Sequence, residues 1–412
     1  LVYNTSYKNG TYLNEGILQI GTNNALPTPL ALVDPLFPNQ GDFAIGTNGT
    51  LDLSIYSQTI KRLTGPGIVT SSSGNLNILS TITLTPDLPT TFGGKIQDGT
   101  GKVAVVINSP GVTQTFSGVN PFSGGLTMTA GMVAIAPTSL DPSDPILGTG
   151  NIIMQDNTAL YWNLNATLNN NFTLNPGNPN NQGITMDTGG NTGILGQAIT
   201  VLGKLIKKGI GELKLLAGGQ NSGTLEIQEG IFTTEGDLTN NVGATIANSG
   251  TFKNVNHLFT NRGSLTGNGS FLLKGSIFQD LNSAIVNWSI LIDSLGSTIK
   301  SGDQTHPNNV LTFNNTITDN DPLNPGLLTL SEPGTIILNG ANDYKGGTSI
   351  ANSAIVQIGS NTALGSGAIS LEGTLQAGQD ALTLDNDISL GSSSIIDNKG
   401  YTLNFSGEFS SP

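Results

Sequence analysis

Apolar residues in this chain come in short runs, each bounded by Gly, Asn, Asp or Pro. Runs of about four to six residues, many of them alternating with polar residues, predict short β-strands. A helical period is never sustained, because the nearest approach, Val201 to Leu216, is interrupted by Gly203, Gly209 and Gly211. The sequence therefore predicts an all-β protein. Examples of predicted strands are Gly16 to Ile20, Leu51 to Ile55, Lys102 to Ile107, Gly223 to Ile227, Thr335 to Leu338 and Ile355 to Ile358.

The composition limits the kinds of all-β fold that are possible. Aromatic residues make up 6% of the 412 residues, too few for a wide core, but 36% hydrophobic residues are too many for a disordered chain. The 55 glycines do not fall at every third position, which excludes collagen, and the absence of Cys excludes a disulfide scaffold. A net charge of −13 disfavours nucleic acid as a partner. No apolar run reaches the roughly 18 residues of a membrane helix, so we expect this chain not to span a membrane.

Internal repetition favours one fold among these. With Phe122 aligned on Tyr344, Gly124 and Gly125 fall on Gly346 and Gly347. Repeats separated by about a hundred residues, with insertions, are typical of an elongated array rather than of a compact fold. The further equivalences are Leu147 to Gly150 on Leu364 to Gly367, Tyr7 to Thr11 on Tyr344 to Thr348, and a weaker copy from Leu215 that has Ser222 at the aromatic position.

Short strands, turn-forming Gly and Asn residues and no helices together predict a right-handed parallel β-helix (β-solenoid), an elongated rod continuous over residues 1–412. With roughly 20 to 25 residues per coil, we expect about 17 to 20 coils and a length on the order of 80 to 95 Å. The repeat modules are placed at approximately 1–110, 111–200, 201–330 and 331–412. Residues 169–193 are of low complexity and are predicted to form a protruding loop. A set of β-sandwich domains is the alternative fold.

Polar residues are expected to stack as well. Asn, Ser and Thr can form ladders at the corners of successive coils, where their side chains hydrogen-bond along the axis. Trp162 and Trp288 are either outer-face platforms for sugars or buried at strand ends. Alternation predicts that several members of one basic cluster share an outer face. These basic residues are Lys204, Lys207, Lys208 and Lys214.

The segment from residue 338 to 378 combines Gly-x-Asn-x-Tyr-x-Gly-Gly-Thr with Asn-x-Ala-Leu-Gly-x-Gly and Gly-Thr-Leu. The residues of these motifs are Gly340, Asn342, Tyr344, Gly346, Gly347, Thr348, Asn361, Ala363, Leu364, Gly365, Gly367, Gly373, Thr374 and Leu375. In this pattern the segment resembles the autotransporter-associated β-strand repeat. Looser copies place Phe122, Gly124, Gly125 and Tyr7 at repeat positions.

This resemblance implies the passenger region of a bacterial surface protein. Such a chain is a parallel β-helix, secreted or held at the outer-membrane surface, that acts in adhesion or self-association. The lack of Cys suits a chain that crosses an oxidising compartment unfolded. The expected partners are copies of the chain itself, lateral or end to end, or a host or matrix glycan or protein.

Few residues could support chemistry. Asp319 and Asp321 are candidate metal ligands or catalytic carboxylates, but the later acidic ligands of a calcium loop are missing, which favours a solvated turn. His257 and His306 lie in polar contexts without nearby Glu or Cys. We therefore expect no cofactor and no enzymatic activity, and predict a structural and adhesive role. Two alternatives stay open: a fibre subunit that polymerises end to end through open β-helix ends, and a β-helix enzyme that degrades polysaccharides, as a lyase or hydrolase.

Overall fold

The computed structural model of the protein describes residues 9–27, 38–138, 141, 144–175 and 182–411. These residues form 45 β-strands and contain no α-helix, and within them no helix is long and apolar enough to cross a bilayer. The strands pair in parallel from coil to coil and make a β-solenoid of about 17 turns. The predicted all-β parallel solenoid is thus confirmed.

The chain divides into two units, Leu1–Leu213 and Lys214–Pro412, and each is described by itself. The four predicted repeat modules stay a prediction. A further strand, β19 (Glu212–Leu215), contains the boundary between the units. The strands of the first unit are β1 (Thr11–Gln19), β2 (Phe43–Asp52), β3 (Gln58–Ile60), β4 (Leu63–Thr64), β5 (Ile68–Thr70), β6 (Leu79–Leu84), β7 (Thr90–Phe92), β8 (Lys95–Ile96), β9 (Lys102–Phe116), β10 (Leu126–Ile135), β11 (Ile152–Gln155), β12 (Thr158–Trp162), β13 (Ala166–Leu168), β14 (Phe172–Asn175), β15 (Ile184–Asp187), β16 (Thr192–Leu195), β17 (Ile199–Val201) and β18 (Lys204–Lys208).

The strands of the second unit also pair in parallel. Its strands are β20 (Gly219–Asn221), β21 (Thr224–Ile227), β22 (Ile231–Thr234), β23 (Leu238–Asn240), β24 (Thr245–Asn248), β25 (Thr251–Val255), β26 (Leu258–Asn261), β27 (Ser264–Gly267), β28 (Ser270–Lys274), β29 (Ile277–Asp280), β30 (Ile285–Val286), β31 (Ser289–Ile292), β32 (Ser297–Ser301), β33 (Val310–Phe313), β34 (Ile317–Asp319), β35 (Leu328–Ser331), β36 (Thr335–Leu338), β37 (Thr348–Ile350), β38 (Ile355–Ile358), β39 (Ile369–Leu371), β40 (Thr374–Ala377), β41 (Leu382–Leu384), β42 (Ile388–Leu390), β43 (Ile395–Asp397), β44 (Leu403–Phe405) and β45 (Phe409–Ser410).

Each coil buries the alternate residues of its strands. In β36, β38 and β40 the residues Ile336, Val356 and Leu375 are fully buried, and the strand register places them directly above one another. Burial of one such side chain is worth about 1.5–3 kcal/mol. A few Ile, Leu and Val residues per coil therefore build a continuous core, which explains how a chain with so few aromatic residues folds.

The loop predicted over residues 169–193 is wrong where strands occur in this segment. Strands β14 and β15 lie within it, and β16 begins at its end. Phe172 and Leu174 alternate inward in β14, and Ile184 and Met186 do so in β15. Two apolar residues are enough for one side of a coil, so the surrounding Asn and Gly residues do not prevent strand formation. Residues 176–181 lie outside the described residues.

Candidate binding surface

The predicted repeat motif forms a buried corner in the second unit. Tyr344 is 0% exposed, and its hydroxyl lies 2.7 Å from Thr348 Oγ1, which in turn donates to the carbonyl of Leu364 at 3.0 Å. Asn342 Nδ2 donates to the carbonyl of Ala363 at 2.6 Å. Burial raises the pKa of the Tyr344 phenol well above its ordinary value. These residues therefore hold the coil together and are not presented to a ligand.

The motif glycines occupy positions where a side chain has no room. A Cβ atom at any of five of them would lie only 2.1–2.4 Å from a backbone atom. These five are Gly340, Gly346, Gly365, Gly367 and Gly373. Gly347 has a φ of +85° and Gly365 a φ of +68°, a backbone conformation that favours glycine. Leu364 and Leu375 are fully buried beside this corner.

The first unit builds the same corner with different side chains. Phe122 is 2% exposed at the position of the tyrosine, and Asn120 Nδ2 donates to the carbonyl of Ile146 at 2.9 Å. A Cβ atom at Gly124 would lie 2.4 Å from the carbonyl oxygen of Val103, and Gly125 has a φ of +89°. The alignment of Phe122 on Tyr344 is therefore reproduced in the contacts of the two corners. Tyr7 lies outside the described residues.

Two further asparagines, which the sequence did not reveal, complete these corners. Asn170 and Asn386 each donate through Nδ2 to the carbonyls of two corner glycines, at 3.0 and 2.7 Å. The acceptors are Gly148 and Gly150 for Asn170, and Gly365 and Gly367 for Asn386. Both asparagines come about one coil after the motif. The sequence signal that could have identified Asn170 and Asn386 is their matching position in the two repeat copies. This match becomes visible once the coils are aligned.

The two candidate carboxylates have separate hydrogen-bond partners. Asp319 Oδ2 accepts the backbone N–H of Lys345 at 2.9 Å. Asp321 accepts Asn324 Nδ2 at 2.8 Å and the backbone N–H of Leu323 at 3.0 Å, and these hydrogen bonds hold the pKa of Asp321 below its ordinary value. Within the described ranges, no group of three or more His, Cys, Asp or Glu side chains could hold a metal ion. The surroundings of Asp321 are those of a turn.

The structure decides between the two positions that the sequence left open for the tryptophans. Trp162 and Trp288 are each 1% exposed and lie at the end of β12 and directly before β31, so both are buried at strand ends and neither is an outer-face platform for sugars. The prediction of an outer face for the basic cluster is wrong for Lys207. Lys207 is fully buried, and its Nζ donates to the carbonyls of Lys208 at 2.8 Å and Gly209 at 2.6 Å. The alternation of β18 turns Lys207 inward, and backbone carbonyls replace water around its ammonium group.

The predicted asparagine ladder exists, but it lies inside the second unit. Asn221 Nδ2 donates to Asn240 Oδ1 at 2.8 Å, Asn240 to Asn261 at 2.8 Å, and Asn261 to Asp280 Oδ1 at 2.7 Å. None of these four residues is more than 1% exposed. The ladder therefore joins successive coils and is not available to a ligand. A shorter exposed ladder runs from Asn287 through Asn314 to Asn339, with separations of 3.2 and 3.0 Å.

A ladder of hydroxyl groups lies on the outer face of the second unit. The strand register places one outward Ser or Thr of each of β32, β35, β37, β39, β42 and β45 in a single row. The row consists of Thr298, Thr329, Ser349, Ser370, Ser389 and Ser410, here called the hydroxyl ladder. Its first three side chains are half-buried and its last three are exposed. With strands about 4.8 Å apart, the six hydroxyls span about 24 Å.

The rows beside the hydroxyl ladder hold both small and charged side chains. One outward row begins with Lys300 and Ser331 and passes Glu372, which directly follows β39. Asp387 and Glu408 directly precede β42 and β45 on the other side of the ladder. Lys300 Nζ lies 3.0 Å from Glu332 Oε1, so its charge is paired. Each ladder hydroxyl can both donate and accept a hydrogen bond. The face thus presents hydroxyl donors and acceptors at a constant spacing beside acidic side chains, which suits a neutral or cationic ligand with a repeating structure.

No family model, curated protein or solved structure matches this chain. The resemblance to the autotransporter-associated repeat therefore stays a prediction. The fold and the geometry of the surface are what support a function.

Proposed function

We propose that this protein is an extracellular, cell-surface β-solenoid with a structural and adhesive role. It binds another copy of itself, or a host or matrix polymer, through the hydroxyl ladder. The observation that carries this proposal is the alignment of six hydroxyl side chains, from Thr298 to Ser410, in one row on successive coils. Two other repeated polar features, the motif corner and the asparagine ladder from Asn221 to Asp280, are buried, and the exposed ladder from Asn287 to Asn339 has only three members.

The mechanism is multivalent binding without catalysis. One hydrogen bond between protein and ligand is worth only about 0.5–1.5 kcal/mol, because each partner gives up water. A ligand that repeats at a spacing near 4.8 Å engages several hydroxyls at once, and each further contact forms at high effective concentration. The parallel strands hold the hydroxyls in place before binding, which lowers the entropy that binding costs.

The chemistry of the surface also restricts the ligand. A net charge of −13 repels acidic polymers. Neutral or cationic polymers, or a second copy joined through hydroxyl contacts, suit the ladder better. An extracellular location is supported by the lack of Cys and by the resemblance to exported repeats.

The test replaces the three central serines. A triple variant, Ser349→Val, Ser370→Val and Ser389→Val, removes the hydroxyls and introduces β-branched side chains that suit a strand. The control replaces the same serines with Thr, which is also β-branched but keeps the hydroxyls. We expect the wild type and the Thr variant to co-sediment with insoluble neutral polymers such as cellulose or chitin, or to self-associate in light scattering. The Val variant should lose at least tenfold in affinity; equal behaviour of the Val and Thr variants contradicts the proposal.

Electron microscopy and an assay for sugar release separate the adhesive role from the two alternatives, the fibre subunit and the degrading enzyme. Filaments whose length rises with protein concentration would favour the end-to-end fibre subunit. Release of soluble sugars from a polysaccharide would favour the degrading enzyme, and loss of that release on changing Asp319 and Asp321 to Asn would assign the chemistry to them. Particles of constant size that bind polymer without cutting it agree with the proposed adhesive role.

A further inference from the structure

One row of outward residues in the first unit has small side chains and leaves an open floor on the protein surface. The register joins Tyr12 of β1, Ala44 of β2 and Thr64 of β4. The bridge between Gly65 and Phe92 brings the outer face of β7 beside that of β4, and Thr91 of β7 pairs with Thr115 of β9. The row therefore starts with one large ring and continues over a floor of Ala and Thr side chains. From Ala44 to Thr115 this floor covers about 14 Å, or three strand spacings.

A cavity of about 270 Å³ opens on this floor. Its lining includes Tyr12, which is 68% exposed, and Leu88, which is 55% exposed, together with Pro89. The volume is just below the roughly 300–1,000 Å³ of sites for drug-sized ligands. The cavity fits a small part of a ligand, whose remainder can follow the open floor.

Polar groups are fixed at the wall of this cavity. Arg62 Nε donates to Asp42 Oδ1 at 2.8 Å, and Arg62 Nη2 lies 2.6 Å from Asp42 Oδ2. The side chains of Arg62 and Asp42 are 17% and 20% exposed. Burial raises the pKa of Asp42 above its ordinary value, although the guanidinium of Arg62 opposes this shift. A bidentate pair of this kind is rigid. Arg62 Nη2 also donates to the carbonyl of Pro38 at 3.0 Å and to Asn39 Oδ1 at 3.1 Å, so the Nη1 hydrogens and the carboxylate lone pairs are the groups offered to a ligand.

The open floor has a structural cause. Gly46 comes shortly after the floor residue of β2, and a Cβ atom there would lie 2.4 Å from the carbonyl oxygen of Asn14. Gly65 follows the floor residue of β4 with a φ of +95°, and its Cβ would lie 2.1 Å from the carbonyl oxygen of Ile45. The close approach of neighbouring coils at this corner keeps side chains away. The residues of this corner therefore leave the floor beside Tyr12 uncovered.

We infer that this trough, formed by Tyr12, Ala44, Thr64, Leu88, Pro89 and the Arg62–Asp42 pair, binds an uncharged oligosaccharide. A sugar ring has an apolar face, which can stack on the exposed Tyr12 ring, and hydroxyls at its edge, which can bond to the threonines and to the ion pair. The charges at the wall already neutralise each other, and the chain has a net charge of −13, so an acidic sugar is disfavoured. This site shares no residue with the hydroxyl ladder and does not rest on it.

The test is calorimetric titration of the full chain with soluble neutral oligosaccharides of the cello-, chito-, manno- and xylo- series. Tyr12→Ala should weaken binding at least tenfold, and Tyr12→Phe, which keeps the ring, should bind within threefold of the wild type. Ala44→Leu should also weaken binding at least tenfold, because it fills the floor while leaving Tyr12 in place. Tyr401→Ala, which removes a 42% exposed tyrosine of the second unit, is the matched control and should bind normally.

Several results would overturn this inference. They are binding of none of these sugars by the wild type, unchanged binding by Tyr12→Ala and Ala44→Leu, or binding of acidic oligosaccharides alone. Loss of oligosaccharide binding in the Ser→Val variant of the hydroxyl ladder would move the sugar to that ladder, and would also overturn the trough. Normal oligosaccharide binding by that variant, together with its loss of polymer binding, would support two separate sites.

Discussion

Tyr344 and Phe122 fill the same corner of two coils, but only Tyr344 has a hydroxyl. Its partner is Thr348 Oγ1 at 2.7 Å. Leu126, 1% exposed, stands at the equivalent position beside Phe122. The two side chains of each corner therefore suit one another: Tyr344 and Thr348 are a polar pair, and Phe122 and Leu126 are an apolar pair. A buried hydroxyl without a partner costs about 1–3 kcal/mol, which explains why the two residues of each pair go together.

This matching predicts that the two exchanges of aromatic residue have unequal effects. Tyr344→Phe should lower the free energy of unfolding by about 1 kcal/mol, since Thr348 keeps its bond to the carbonyl of Leu364. Phe122→Tyr should lower it by about 2 kcal/mol, because the new hydroxyl meets Leu126. Urea unfolding followed by circular dichroism measures both, and the reverse order would show that the pairs are not matched.

At the scale of elements, ladders between strands tie each coil to the next. In the buried ladder, Asn240 accepts from Asn221 and donates to Asn261. The ladder ends at Asp280, whose carboxylate also accepts Asn309 Nδ2 at 2.9 Å and the backbone N–H of Ala284 at 3.0 Å. Several hydrogen-bond donors thus surround this buried carboxylate, and they replace the water molecules that it loses on burial. The exposed ladder at Asn314 has the same geometry, but water can replace its bonds.

The contrast between the two ladders gives a prediction. Asn240→Ala removes the acceptor of Asn221 and the donor to Asn261, and leaves a void. It should destabilise the protein by about 2–4 kcal/mol. Asn314→Ala, the exposed counterpart, should cost no more than about 0.5 kcal/mol. Thermal unfolding of both variants under one set of conditions measures the difference; similar losses for both would mean that burial does not decide the strength of a ladder.

At the scale of the whole molecule, each coil contacts mainly the coils before and after it, as the strand pairs of both units show. Stability in such an array is close to a sum of coil terms and nearest-neighbour terms. A local defect should therefore stay local. The corner at Gly365 offers a severe defect, because its Cβ would lie 2.4 Å from the carbonyl oxygen of Tyr344. Gly400 has a φ of +82° with nothing within 4 Å, so it isolates the cost of the backbone conformation.

We predict that Gly365→Ala costs at least twice as much stability as Gly400→Ala, for which the left-handed conformation alone costs about 1–2 kcal/mol. Hydrogen exchange measured by mass spectrometry should show lost protection in the strands around Gly365, such as β37 and β39. The corner at Phe122, in the other unit, should keep its protection. Equal loss throughout the chain would contradict the local character of the coils.

Much of the fold was predictable because it depends on local chemistry. Short alternating runs such as Thr335–Leu338 can bury only every second residue. Gly125 and Gly347 mark the same left-handed turn in both copies. The inward position of Lys207 was not predictable from composition, because a lysine is normally exposed. The strand β14 was missed because two buried residues among asparagines give little hydrophobic signal.

The candidate binding surfaces were the least predictable part. Thr298 and Thr329 are neighbours in the hydroxyl ladder although the chain between them includes a longer excursion than that between Ser349 and Ser370. Coils of unequal length hide such rows in the sequence. Tyr12 and Arg62 likewise come together only through strand stacking.

The amino-acid sequence by itself determined the β-structure, the parallel solenoid and the glycine corners, because these follow from alternation, turn chemistry and internal repetition within one or two coils. The tertiary structure alone decided which polar side chains are buried and which share an outer row. The physical reason is that alternation defines two faces of a strand, while the corner geometry selects the inner one. Register between coils depends on the path of every intervening turn, and so it is settled only when the coils stack.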